Sequence, residues 1–149
     1  MSLPSSTTTL GGTLQSVLGV AGSAKGAAAN ALSALQTISV DSNFVFQMLD
    51  QLRNLISQLN TWAAVSGINA FATAQIPGYA GTLTTDITAT VTAATACITW
   101  VSANFPVDTG GFIQAFKLNA DGSRTATTFT PSQTAPLQTL LQTFIGTIG

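Results

Sequence analysis

A chain of 149 residues with four Lys and Arg, five Asp and no His is 6% charged, about a quarter of the share in ordinary soluble domains. Four scattered cations (Lys25, Arg53, Lys117, Arg124) give no patch for counterion release, which argues against nucleic-acid binding. Zero His and one Cys exclude His/Cys metal sites and a Ser–His–Asp triad.

The length suits one domain able to bury a core without disulfides. Residues 1–12, "MSLPSSTTTLGG", read as an extended arm with no basic stretch, a poor secretory signal. From Thr13 a helical pattern begins. Leu14, Val17, Ala21, Ala24, Ala28, Ala31, Leu35 and Ile38 recur at alternating spacings of three and four, a seam that is small in its middle. Small residues let another helix approach closely. Gly19, Gly22 and Gly26 weaken the helix by about 1 kcal/mol each, so packing must hold it. "SVDSN" then breaks the pattern, with Asp41 or Ser42 as N-cap.

The second seam is large where the first is small: Val45, Met48, Leu52, Leu55, Leu59 and Trp62. Large against small predicts an antiparallel helical hairpin. Gly67 is read as its end, and "INAFATAQIPGYAG" as an irregular connection with room for one short helical turn. The next segment, 82–106, is ambiguous, because Thr alternates with apolar residues. Its length decides for a helix, with Leu83, Ile87, Val91, Ala94, Ile98, Val101 and Phe105 as the apolar row and Pro106 as the stop. Thr on such a helix can bond back to its own backbone and meet a dry neighbour.

Asp121-Gly122 between alternating runs predicts a β-hairpin over about 112–129, pairing Leu118 with Thr125 and Phe116 with Thr127. Thr130-Pro131-Ser132-Gln133 has the form of a capping box before a last helix carrying Leu137, Leu140, Leu141, Phe144 and Ile148. Pro136 implies either a separate first turn or a helix starting at Thr134. The predicted fold is mainly α with a small β-hairpin (α+β). It comprises a helical hairpin, a third long helix, the C-terminal hairpin and a final short helix, in one domain over 13–149.

Chemistry is sparse. Asn119, Asp121, Ser123 and Thr125 sit at alternate positions like oxygen ligands, but an EF-hand loop needs Gly and Glu where Arg124 and Thr130 stand. Cys97 has no activating neighbour in sequence and reads as a core residue. No pair of Asp is spaced to converge and no phosphate-binding Gly loop is present. No catalytic residue, cofactor or metal is expected. The apolar stretches 14–38 and 87–105 lack the flanking cations of a membrane span.

The C-terminal half carries Gly78-Tyr79, Trp100, Asn104-Phe105-Pro106 and Gly111-Phe112, then Leu118-x-x-Asp121-Gly122-Ser123. Phe129-Thr130-Pro131-x-Gln133-Thr134-Ala135-x-Leu137 follows. Across 78–149 this pattern resembles small virion structural proteins of tailed bacteriophages. The resemblance implies a non-enzymatic protein of the virion, in head decoration, neck or tail, whose partners are other virion proteins and copies of itself. The residues expected at such interfaces are Leu14, Ala21, Ala28 and Leu35 on the first seam. Phe112, Phe116, Leu118 and Phe129 join them on the hairpin's apolar face. Two alternatives rest on other features. A membrane-active or ejected protein would use the small-residue helix and the mean hydropathy of +0.42. A secreted helical binding module would use the helical hairpin.

Overall fold

In a computed structural model, the residues described are 3, 12–37, 40–76, 79–104, 116–118, 120–126 and 128–148. Their architecture is mostly helical, with five helices among the described residues: α1 (Gly12–Thr37), α2 (Ser42–Ala63), α3 (Ile68–Gln75), α4 (Leu83–Asn104) and α5 (Ala135–Gly146). Helices α1, α2, α4 and α5 form a ring in that order, each packed on its two neighbours. Gln138 near the start of α5 reaches the carbonyl of Leu35 near the end of α1, while Lys25 reaches Ile148 just beyond α5. The two helices therefore run antiparallel, and the ring is an up-down-up-down bundle.

The core follows the two seams. Ala21, Ala24, Ala28 and Ala31 of α1 are buried, as are Val45, Met48, Leu49, Leu52, Leu55 and Leu59 of α2. Each fully buried Leu contributes roughly 1.5–3 kcal/mol, so the weak intrinsic helicity of α1 is offset by packing on its larger neighbour. On α4 the buried stripe is Leu83, Asp86, Ile87, Thr90, Ala93, Ala94, Cys97 and Val101, whereas Val91 and Ile98 are half-buried. The stripe is thus rotated from the expected row, because Thr90 and Asp86 find hydrogen-bond partners inside.

Several expectations are corrected. Helix α2 ends at Ala63, and Gly67, with φ 77°, precedes a new helix instead of closing the old one. The segment expected to be irregular holds the eight-residue helix α3, whose buried face is only Ile68 and Ala72. So short a buried row carries little periodic signal. Of the two arrangements expected for Pro136, the separate first turn is found: residues 131–134 form it before α5, which places Pro136 in the helix's first turn, where its missing N–H has no partner to lose. Of the capping box, Gln133 Oε1 accepts the Thr130 N–H at 2.8 Å, which closes the separate turn rather than α5 itself.

Pairing of β type is short. Strand β1 (Val40–Asp41) pairs antiparallel with β4 (Thr128–Phe129), and β2 (Phe116–Leu118) with β3 (Arg124–Ala126). Ladders of two and three residues stand where a hairpin over 112–129 was expected. The register is Leu118 with Arg124 and Phe116 with Ala126, one residue from the expected one. The cause lies at the turn. Asp121 Oδ1 accepts the Ser123 N–H at 2.9 Å and its hydroxyl at 2.6 Å, and Gly122 takes φ 87°, which centres the turn on Asp121.

Candidate functional site

The described residues bury one charged side chain, Asp86, in the first turn of α4. The chain reaches it through α3. Gly67 turns the backbone left-handed, and α3 then lies against the start of α4. A helix start leaves backbone N–H groups without partners. Asn69 of α3 supplies one from outside the helix. Its Oδ1 accepts the Thr84 N–H at 2.9 Å, and its Nδ2 donates to Thr84 Oγ1 at 3.0 Å. The Asp86 N–H donates to the Thr82 carbonyl at 3.0 Å, the first bond of the α4 ladder.

Tyr79 completes the cluster. Its hydroxyl donates to Asp86 Oδ2, and the ring is buried. Burial first, then the bond to Asp86 and the carboxylate's charge, hold the phenol in its neutral form well above the usual tyrosine range. The carboxylate gains from its place near the positive end of the α4 dipole. Gly81 seals the pair. A Cβ at this position would stand 2.7 Å from both Asp86 Oδ2 and Tyr79 Cε1, so any side chain would force the pair apart. A neutral phenol and a carboxylate that satisfy each other beneath a glycine lock α3 and its following loop onto α4.

The other sequence-predicted positions fall as follows. Ala21, Ala28 and Leu35, expected at an interface, are buried in the chain's own core, so intramolecular packing already occupies them. Leu14 lies on α1. Phe116 and Leu118 lie on β2, and Phe129, half-buried, packs against the core from β4. Phe112, Phe105 and Pro106 lie outside the described residues. Asp121 stands fully exposed, and the Ser123 hydroxyl, then the Ser123 N–H, hold its carboxyl below the usual range. Among the described residues no group of three or more His, Cys, Asp or Glu could hold a metal ion. Cys97 is fully buried, which pushes its thiol up to about 12.

Two shallow grooves lie on the surface of the described residues. One, of about 250 Å³, lies between α1 and α2 with Ala27, Ala31 and Met48 as floor and Asn30, Gln47 and Gln51 as rim. The other, of about 200 Å³, lies at the α2–α3 corner between Trp62, Ile68 and the exposed Val65 and Phe71. Among the described residues no helix is long and apolar enough to cross a membrane. Comparison with family models, with curated proteins and with solved structures gives no match.

Sequence reasoning missed the Tyr79–Asp86 pair. The signal was present: an acid directly before Ile87 of the apolar row, in the first turn of a helix, with Tyr79 just upstream. A row drawn from apolar residues alone leaves it out.

Proposed function

We propose that this chain is a non-enzymatic structural component of a bacteriophage virion, in head decoration, neck or tail, that acts by packing in many copies. The supporting observation is the outer surface of the bundle. Helices α1, α3, α4 and α5 carry two charged residues between them, Lys25 and Asp86. Asp86 is buried, and the half-buried Lys25 spends its ammonium on the Ile148 carbonyl. The outer face of α4 is Thr85, Thr88, Ala89, Thr92, Thr95, Thr99, Ser102 and Ala103, all exposed.

Such a surface is easily stripped of water. Thr88 donates its hydroxyl to the Thr84 carbonyl at 2.9 Å, and Thr143 on α5 to that of Thr139 at 3.2 Å. Their donors are satisfied before any neighbour arrives, so a dry contact leaves no orphan group. A soluble free monomer normally relies on net charge to stay apart from its copies, and this chain carries −1. Phe116 and Leu118, two apart on β2 and so on one face of its ladder with β3, are proposed as a second contact. The three-residue ladder between Phe116 and Ala126 supports it. The phage assignment rests on the resemblance over residues 78–149.

The test is quantitative mass spectrometry of purified phage particles that encode this chain. Many copies per particle, retained after washing in high salt, are expected. Its absence from particles whose capsid and tail proteins are fully recovered would refute the assignment.

A further inference from the structure

Asp121 and Gly122 both stand exposed on the turn between β2 and β3. Asp121 Oδ1 accepts the Ser123 N–H at 2.9 Å and its hydroxyl at 2.6 Å. A carboxyl bonded to the N–H two residues on is folded back over the backbone nitrogen between them, here that of Gly122. Gly122 has no side chain to shield this nitrogen and holds φ 87°. Nothing lies within 4 Å of where its Cβ would stand. A carboxyl carbon, a backbone nitrogen and room for a ring to close therefore meet in one turn.

Two other aspartates show the contrast. Asp50 is exposed but lies inside α2, and Asp86 is buried inside α4 and followed by the branched Ile87. In a helix the N–H of the next residue is spent on the carbonyl four back, which holds its nitrogen in the ladder and away from the side chain before it.

We propose that Asp121-Gly122 is a self-modification site, at which the chain converts its own aspartate to isoaspartate through a cyclic imide. The Gly122 nitrogen attacks Asp121 Cγ. The amide proton and the carboxyl hydroxyl leave as water, and a succinimide ring closes. Water then adds to one of the two ring carbonyls. Addition at Cγ breaks the new bond and restores aspartate. Addition at the Asp121 carbonyl carbon breaks the original peptide bond, so that the chain runs through Cγ and the old carbonyl becomes a free carboxylate. The steps need only water, and holding nucleophile and carbonyl in one turn supplies the proximity. The neutral acid is the form attacked. Ser123 holds the carboxyl below its usual range, so conversion is slow at neutral pH.

The product carries one more methylene in the backbone of the turn that closes the ladder at Leu118 and Arg124. Turn geometry fixes register in a hairpin, so conversion loosens β2 from β3 and leaves the helices as they are. None of this depends on the chain belonging to a virion.

The full chain is aged in near-neutral buffer made with oxygen-18 water, digested, and mapped by mass spectrometry with fragmentation that separates isoaspartate from aspartate. Isoaspartate and one heavy oxygen are expected at residue 121, at least about tenfold above Asp50 and Asp86. The native chain should also react within about tenfold of a free peptide of residues 117–126, since the turn presents the reacting groups and does not protect them. Gly122→Val, whose branched side chain covers the nitrogen, should slow conversion by about tenfold or more. Less enrichment at residue 121, a native chain slower than the peptide by more than that factor, or a Gly122→Val chain that converts as fast as wild type would overturn the proposal.

Discussion

Asp86 and Asp121 carry the same carboxyl group and are set in opposite surroundings. Asp86 is 6% exposed, bound to a phenol, and sealed by Gly81. Asp121 is fully exposed on a turn, where its Oδ1 accepts both the N–H and the hydroxyl of Ser123. One charge joins α3 to α4, the other shapes a turn, and the outer faces of α4 and α5 are left without any. Position relative to a helix start, rather than the neighbouring motif, decides which aspartate has tertiary consequences.

The largest expected effect is at the buried pair. Tyr79→Phe leaves a carboxylate without its donor and should cost about 3 kcal/mol in urea unfolding. Asp86→Asn keeps an acceptor for the phenol and should cost about 1 kcal/mol. The Tyr79→Phe, Asp86→Leu double variant should recover most of the loss, and a cycle showing simple additivity would break the idea of a coupled pair.

Gly81→Ala comes next. The added methyl meets Tyr79 and Asp86 at 2.7 Å, and an overpacking cost of about 1–3 kcal/mol is expected. Thermal unfolding at neutral pH measures it, with Gly19→Ala as control. Nothing lies within 4 Å of a Cβ at Gly19, so that change should stabilise by about 0.5–1 kcal/mol.

The pH dependence separates the two regions further, through the Tyr79 phenol in one and the Asp121 carboxyl in the other. The phenol of Tyr79 has an ordinary value of 10.0 and is raised by burial in the fold. Above that ordinary value the unfolded chain ionises its tyrosine and the native chain does not, so the native state binds more protons. Its contribution is fully present below pH 10 and lost as pH rises towards the raised value. Tyr79→Phe should flatten this alkaline fall in unfolding midpoint. Asp121 has the reverse sign. Its lowered value gives a contribution present above the ordinary 3.8 and lost as pH falls through the lowered one. A carbon-detected NMR titration of Asp121 should show the low midpoint, and Ser123→Ala should raise it.

The smallest effect is at the exposed turn. Asp121→Ala should shift the thermal midpoint by no more than about a degree or two, because the group buries nothing. Gly122→Ala should cost about 1 kcal/mol through its φ of 87° alone. A large loss on Asp121→Ala would overturn the contrast drawn between the two residues.

Helices α1, α2, α4 and α5 were legible because long apolar rows and strong breakers mark them. The small-against-large seam correctly paired α1 with α2. Helix α3 was not legible, since two buried residues in eight make no periodic row. Asp86 and Thr90 escaped for a related reason: a hydrophobic pattern cannot reveal a polar residue whose partner comes from another element. The contact of Leu3 with Thr147 and Ile148 joins the two ends of the sequence, which no local motif states. The buried positions of Ala21, Ala28 and Leu35 show the opposite lesson. A clean seam marks a packed face and leaves open whether the partner is the same chain.

Packing through the uncharged outer face of α4 can be measured directly. Thr88, Thr92, Thr95 and Thr99 form one exposed row. The Thr88→Lys, Thr92→Lys, Thr95→Lys variant and the wild-type chain are compared by size-exclusion chromatography with light scattering over a hundredfold concentration range. If this face mediates assembly, the wild type is multimeric and the variant, with unchanged helix content, falls to the monomer mass. A wild-type chain that stays monomeric throughout, or a variant that assembles equally well, would contradict it.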